Sequence, residues 1–253
     1  MQKNQIRLLS MGILMVMILA AGAGCALVDP MAGRRVEDPP IRPGGEGKEW
    51  CATRFRIRWP TGEPPAWHLD LYLAHQIVRP LLNSHPRDFP LWRFHRRAAR
   101  DRAGHRFSFL FYTTPDRAEQ VLRRIRDDRR LTELEASGIL EELVLEGTDT
   151  GDRGSIESTS DGTWSLPVQK AWPLYIMGVS EAWLDLIDQV SREAGIPFSS
   201  DPPSAEILGA YARVNDEMSR IWREEGGHAF LHHLSAVFGY EPVYVNERRL
   251  IGF

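Results

Sequence analysis

Residues 53–59, TRFRIRW, alternate strictly: Phe55, Ile57 and Trp59 fall on one face, and Arg54, Arg56 and Arg58 on the other. A period of two with one apolar face predicts a half-buried strand. Over 66–82, Leu69, Leu73, Ile77 and Leu81 lie four apart, a helical spacing, with Pro80 placed to kink or end the last turn. Two aromatic-rich alternating runs, LWRFHR at 91–96 and HRFSFLFY at 105–112, predict a hairpin with a loop longer than the minimum. Thr114 as cap, Pro115 at the first helical position, acids at 116 and 119 and a stop at Gly138 predict a helix over 114–138. ILEELVLEG at 139–147 predicts a last short strand.

Strand, helix, strand, strand, helix, strand is the order of a ferredoxin-like βαββαβ unit, which places an α+β domain over 51–147. Residues 148–164, rich in Gly, Ser, Thr and Asp, predict a linker or long loop. The remainder, 165–253, patterns as mainly helical. Ser180 is positioned to cap a helix ended by Gly195. Ser204 is positioned to cap a second helix, whose packed face is Ile207, Tyr211, Val214, Met218 and Ile221. A third helix closes at Gly239, and EPVYV predicts an edge strand.

The first 24 residues stand apart from this layout. Lys3 and Arg7 precede an uncharged run over 8–24, small residues crowd up to Cys25, and the whole has the layout of a signal peptide. As a helix that run reaches about 26 Å, short of a roughly 30 Å hydrocarbon core. An uncleaved anchor is the alternative. Gly22-Ala23-Gly24-Cys25 resembles the lipobox of bacterial lipoproteins, departing from it at Gly22, where Leu is usual. The resemblance implies a diacylglycerol thioether on Cys25 as the new N-terminus. Ala26, rather than Asp, after the Cys implies outer-membrane sorting with the body facing the periplasm. Residues 25–50 then form a tether, whose Pro, Gly and charges bury too little apolar surface to order, reaching roughly 25–30 Å.

Composition narrows the chemistry. A formal charge of −3 favours no class of polyanion or polycation. There are two cysteines, so a disulfide framework is excluded; with Cys25 acylated, Cys51 is a thiol or half of an intermolecular bond. Lysine occurs only at 3, 48 and 170, so basic faces are built of arginine, which suits carboxylate and phosphate. Residues 87–130 carry 13 Arg against six acids, whereas 131–161 carry nine acids against Arg153 alone. The two blocks could neutralise each other in the fold.

Two candidate sites follow. If one sheet face packs on the helices, Arg54, Arg56, Arg58, Arg106 and Tyr112 share the other and would bind an anion. The competing expectation is that Glu142 and Glu146 sit across from those arginines as a cross-strand ion-pair ladder. His228 and His232, four apart on a helix with Glu224 one turn earlier, could present ligands to a metal. The general base of a metalloprotease signature is absent at Ala229, so ordinary helix-packing histidines are the alternative. No cofactor is implied by any short motif.

Two further resemblances concern the sheet. HRFSFLFY in a third strand is similar to the aromatic strand of the RNA-recognition motif at Phe107, Phe109 and Tyr112, but Arg106 stands where that pattern wants Gly, and an exported chain would rarely meet RNA. Residues 67–143 resemble the C-terminal module of lantibiotic and thiopeptide dehydratases, through LWRFHRR, GHRFSFLF and a Gly138-Ile139 step. That family's first strand typically ends in Arg-Tyr and its second alternates His-Leu-Arg-Leu-Arg. Arg96-Arg97 and His105-Arg106-Phe107-Ser108-Phe109 depart from both. This resemblance implies an intracellular peptide-modifying role, in conflict with the leader, and transfers no catalytic residue. The expectation is a lipid-anchored envelope protein that binds or assembles with an anionic envelope component or partner protein, with an enzyme, peptide-modifying or His-ligated metal hydrolase, as the alternative.

Overall fold

A computed structural model of the protein describes residues 47–147, 154–245 and 249–251. The leader, Cys25 and the tether up to residue 46 lie outside the described residues. Strands β1 (Glu49–Ile57), β2 (Leu91–Ala98), β3 (His105–Thr113) and β4 (Leu140–Glu146) form one antiparallel sheet in the order β2-β3-β1-β4. With helices linking β1 to β2 and β3 to β4, this is the ferredoxin-like arrangement, and the fold is α+β with a helical C-terminal part.

Alternation sorts the sheet as the pattern predicts. Phe55, Ile57, Phe107, Phe109 and Phe111 are buried in the main core, together with Trp92 and Phe94 of β2 and Cys51 of β1. Trp59 falls beyond β1, where its indole donates to Glu63 O and Arg100 stacks on its ring 3.5 Å from the centroid. The opposite face is divided. Trp50, Ala52, Leu91, Leu110 and Tyr112 form a second, smaller apolar cluster closed by Ile156 and Met177. Trp50 Nε1 donates to Ile156 O at 3.0 Å and Tyr112 Oη to Gly154 O at 2.6 Å. A short 3-10 turn, Ile156–Thr159, thus lies over one end of the face.

The first helical connection differs from the simple kink expected at Pro80. Helix α1 (Trp67–Tyr72) widens into a π-helical stretch, Leu73–Val78, and then continues as α2 (Arg79–Ser84). Proline lacks the N–H that would bond the carbonyl four residues back. The carbonyl in question is that of Gln76, and Arg130 Nη1 takes it at 2.8 Å. The helix expected over 114–138 is two: α3 (Pro115–Arg126) and α4 (Arg129–Ala136), broken at Asp127-Asp128. Asp128 caps α4 by accepting from Arg130 N at 2.9 Å and also pairs with the Arg130 guanidinium, so the chain gains more by restarting than by continuing.

The largest difference is at Ser180. Helix α5 (Leu166–Glu193) starts at a Ser165 cap and runs for 28 residues through Pro173 and Ser180. Ser180, buried within it, accepts from Phe94 N at 3.0 Å and donates to Ile176 O at 2.8 Å. It seals the outer edge of β2, a role that helix-start statistics do not signal. Helix α6 (Ala205–Glu224) is capped by Ser204 as expected, with Ser204 Oγ accepting from Ile207 N. Leu184, Ile187, Tyr211 and Val214 of these helices join the same core as the sheet. A second π-helical stretch, Gly227–His232, leads into α7 (His233–Val237), and EPVYV forms β5 (Val243–Val245), paired with β6 (Arg249–Ile251). No helix among the described residues is long and apolar enough to cross a membrane.

Candidate functional site

Helix α5 is apolar on more than one side. Pro173, Ser180, Leu184, Ile187 and Ser191 face inward, while Tyr175, Val179, Ala182 and Leu186 repeat at four-three-four spacing on another face. That second face meets Asn215, Met218 and Trp222 of α6 and Phe230, Leu231 and Leu234 of the C-terminal helical segment around a cleft of about 890 Å3. Leu174, Val179, Trp222, Phe230 and Leu234 are solvent-exposed, so the cleft opens to water with an apolar wall. Trp222 stacks parallel to Phe230, 6.2 Å apart, and rests on Gly226, where a Cβ would come within 2.8 Å of the indole. Glycine at 226 therefore fixes where this wall stands.

Charge enters the cleft through two arginines, Arg96 and Arg223, and among the described residues no acidic one lines it. Arg96 is tightly set. Its guanidinium lies over the Trp67 and Trp183 rings, 5.0 and 4.8 Å from their centroids. Its Nε donates to Asp70 Oδ2 at 2.8 Å and Nη2 to Trp67 O at 3.3 Å. Asp70 is fully buried and meets His105 Nε2 at 2.9 Å with its other oxygen. A buried carboxylate held by two such partners is the inner support of the arginine.

A second polar network lies deeper. His75 and Gln76, presented by the π-helical stretch, contact Tyr211 of α6: Tyr211 Oη approaches His75 Nδ1 at 2.5 Å and accepts from Gln76 Nε2 at 2.7 Å. His75 Nε2 faces Asp188 Oδ1 at 3.0 Å, and Arg79 bridges Asp188, Asp185 and Glu181. Burial outweighs the Asp188 charge and pushes the His75 imidazole down to about 4; burial also drives the Tyr72 and Tyr211 phenols upward. This network fixes α5 and α6 against the π-helical stretch and α2; His75 itself is 2% exposed, while Arg79, Asp185 and Asp188 open on a polar surface pocket with Arg192 and Glu193.

The arginines named from sequence are separated. Arg54 pairs with Glu146, and Arg56 with Glu141 and Glu142 at 3.0 and 3.2 Å, so the cross-strand ladder forms. Arg58 lies past the end of β1, and Tyr112 is buried under residues 154–156. Arg106 stays on the face, in register with Arg97 and Arg56, one row from His95, Ser108 and Arg54. Burial, then Arg93, Arg97, Arg106 and Arg54, lower the His95 pKa, the mark of a locally positive surface. His228 and His232 stack in parallel 5.2 Å apart with His233 beside them, but Glu224 is turned to Arg220. Among the described residues no group of three or more His, Cys, Asp or Glu could hold a metal.

Sequence reasoning missed the cleft. Its signal was the four-three-four repeat over 175–186, which runs across Ser180, the position read as a helix start. No family model and no curated protein matches the chain. Among solved structures, the crystal structure of the tRNA-dependent lantibiotic dehydratase MibB from Microbispora sp. 107891 is similar at 20% identity and a TM-score of 0.39. The match covers 63% of this chain and 14% of that one, and the neighbour is of the enzyme family that residues 67–143 resemble.

Proposed function

We propose that the chain is a binding module of the cell envelope, held at the membrane through acylated Cys25, and that an apolar or amphiphilic envelope component sits in the cleft between α5, α6 and the C-terminal helical segment. The cleft itself carries this reading. Its volume of about 890 Å3 falls in the range of ligand sites, its walls are aromatic and aliphatic, and its charged groups are two arginines. Exposed apolar side chains continuous with a cleft mark an interaction site more often than chance.

The test is photolabelling of the full chain in membranes with a neutral diazirine-bearing hexadecanol, followed by peptide mapping. Labelling concentrated in 166–193 and 205–234, and reduced by Val179→Glu, supports the reading. Labelling spread over the surface and indifferent to Val179→Glu overturns it. A second surface favours an anionic envelope polymer on the sheet: Arg93, Arg97 and Arg106 surround His95. On that reading, the double change Arg97→Ala and Arg106→Ala weakens retention of the chain on anionic envelope fractions; unchanged retention removes it.

A further inference from the structure

Resting on the reading that the cleft binds, we infer that its occupant is a single-chain anionic lipid: a long acyl chain in the cleft, its carboxylate met by Arg96 or Arg223. Two observations select that chemistry. The first is charge. Both charged lining residues are cationic and, among the described residues, no acid lines the space, so a cationic amphiphile finds no counter-charge there, and a neutral one leaves Arg223 and the remaining Nη1 of the Asp70-paired Arg96 unmet.

The second is preorganisation. Arg96 is clamped between two indoles, with Nε and Nη2 already engaged and Nη1 left over, and its side chain is 28% exposed. A cation fixed before binding loses little freedom when an anion arrives. Arg223 is exposed, and among the described residues no carboxylate lies within ion-pair distance of it.

The experiment is competition against the same neutral photoprobe on the full chain in membranes, using palmitate, hexadecanol and hexadecylamine. Palmitate is expected to protect the cleft peptides at roughly tenfold lower concentration than hexadecanol, and hexadecylamine to protect least. Arg223→Gln should shrink the preference for palmitate. Arg96→Gln combined with Asp70→Asn, which avoids stranding a buried carboxylate, should shrink it again while hexadecanol binding stays. Equal protection by palmitate and hexadecanol, with cleft labelling intact, overturns the inference and leaves the binding module standing. Absence of cleft labelling overturns both. So does a dimer that Trp222→Glu converts to monomer, which would assign the cleft to a second copy. Protection by palmitate only when it is supplied in anionic vesicles would assign the charge effect to a bilayer surface and overturn the single-chain assignment.

Discussion

Gln76 and Gln169 share one predicament: each stands four residues before a proline inside a helix, and each carbonyl has lost its usual donor. Each is rescued from outside the helix, Gln76 O by Arg130 and Gln169 O by the Ser160 hydroxyl at 2.7 Å. Ser160→Ala should therefore lower stability by about 1 kcal/mol in urea titration, and by clearly less in a Pro173→Ala background, where the backbone amide returns. His75 makes a pH prediction. Its folded pKa of about 4 lies below the unfolded value of 6.5, so the unfolded chain takes up the proton first. This contribution is full above pH 6.5 and is lost as pH falls toward 4, on the order of 2–3 kcal/mol. The difference in urea midpoint between the native chain and His75→Gln should narrow over that window; a pH-independent difference would falsify the assignment. Neither rescue nor network is written in local sequence, because the partners of Gln76 and His75 come from Arg130 and Tyr211, far along the chain.

The strands were legible because alternation is local and one face of this sheet is buried almost throughout. Long helices were less so. The helix expected over 114–138 from its start and stop signals divides into α3 and α4, and only the Asp128 cap shows the restart. α5 starts well ahead of the expected Ser180 cap and runs through Pro173, whose missing donor at Gln169 O is replaced by Ser160. Its Ser180 makes the sharpest element-level test. Ser180→Ala removes the acceptor of a buried edge amide, so a loss of about 1–3 kcal/mol is expected, with faster hydrogen exchange at Phe94. At the cleft, Gly226→Ala should move the Trp222 indole, shift its fluorescence and alter photolabelling, with little effect on the sheet.

Across the whole molecule, the sheet depends on later segments on both sides. Residues 154–159 cover Trp50 and Tyr112, while α5 and α6 complete the core beside α1 and β2. A fragment ending at residue 147 should thus be aggregated or dimeric by sedimentation even though it contains all four strands; a monomeric, cooperatively unfolding fragment would contradict this. The seal on β2 also sets a clock. Ser180 follows Phe94 by 86 residues. At about 5–20 residues per second, a ribosome takes roughly 4–17 s to deliver it. During that interval the outer backbone of β2 is an open template for any neighbouring nascent chain, and holding the chain unfolded until synthesis ends, as export through a translocon does, removes the hazard.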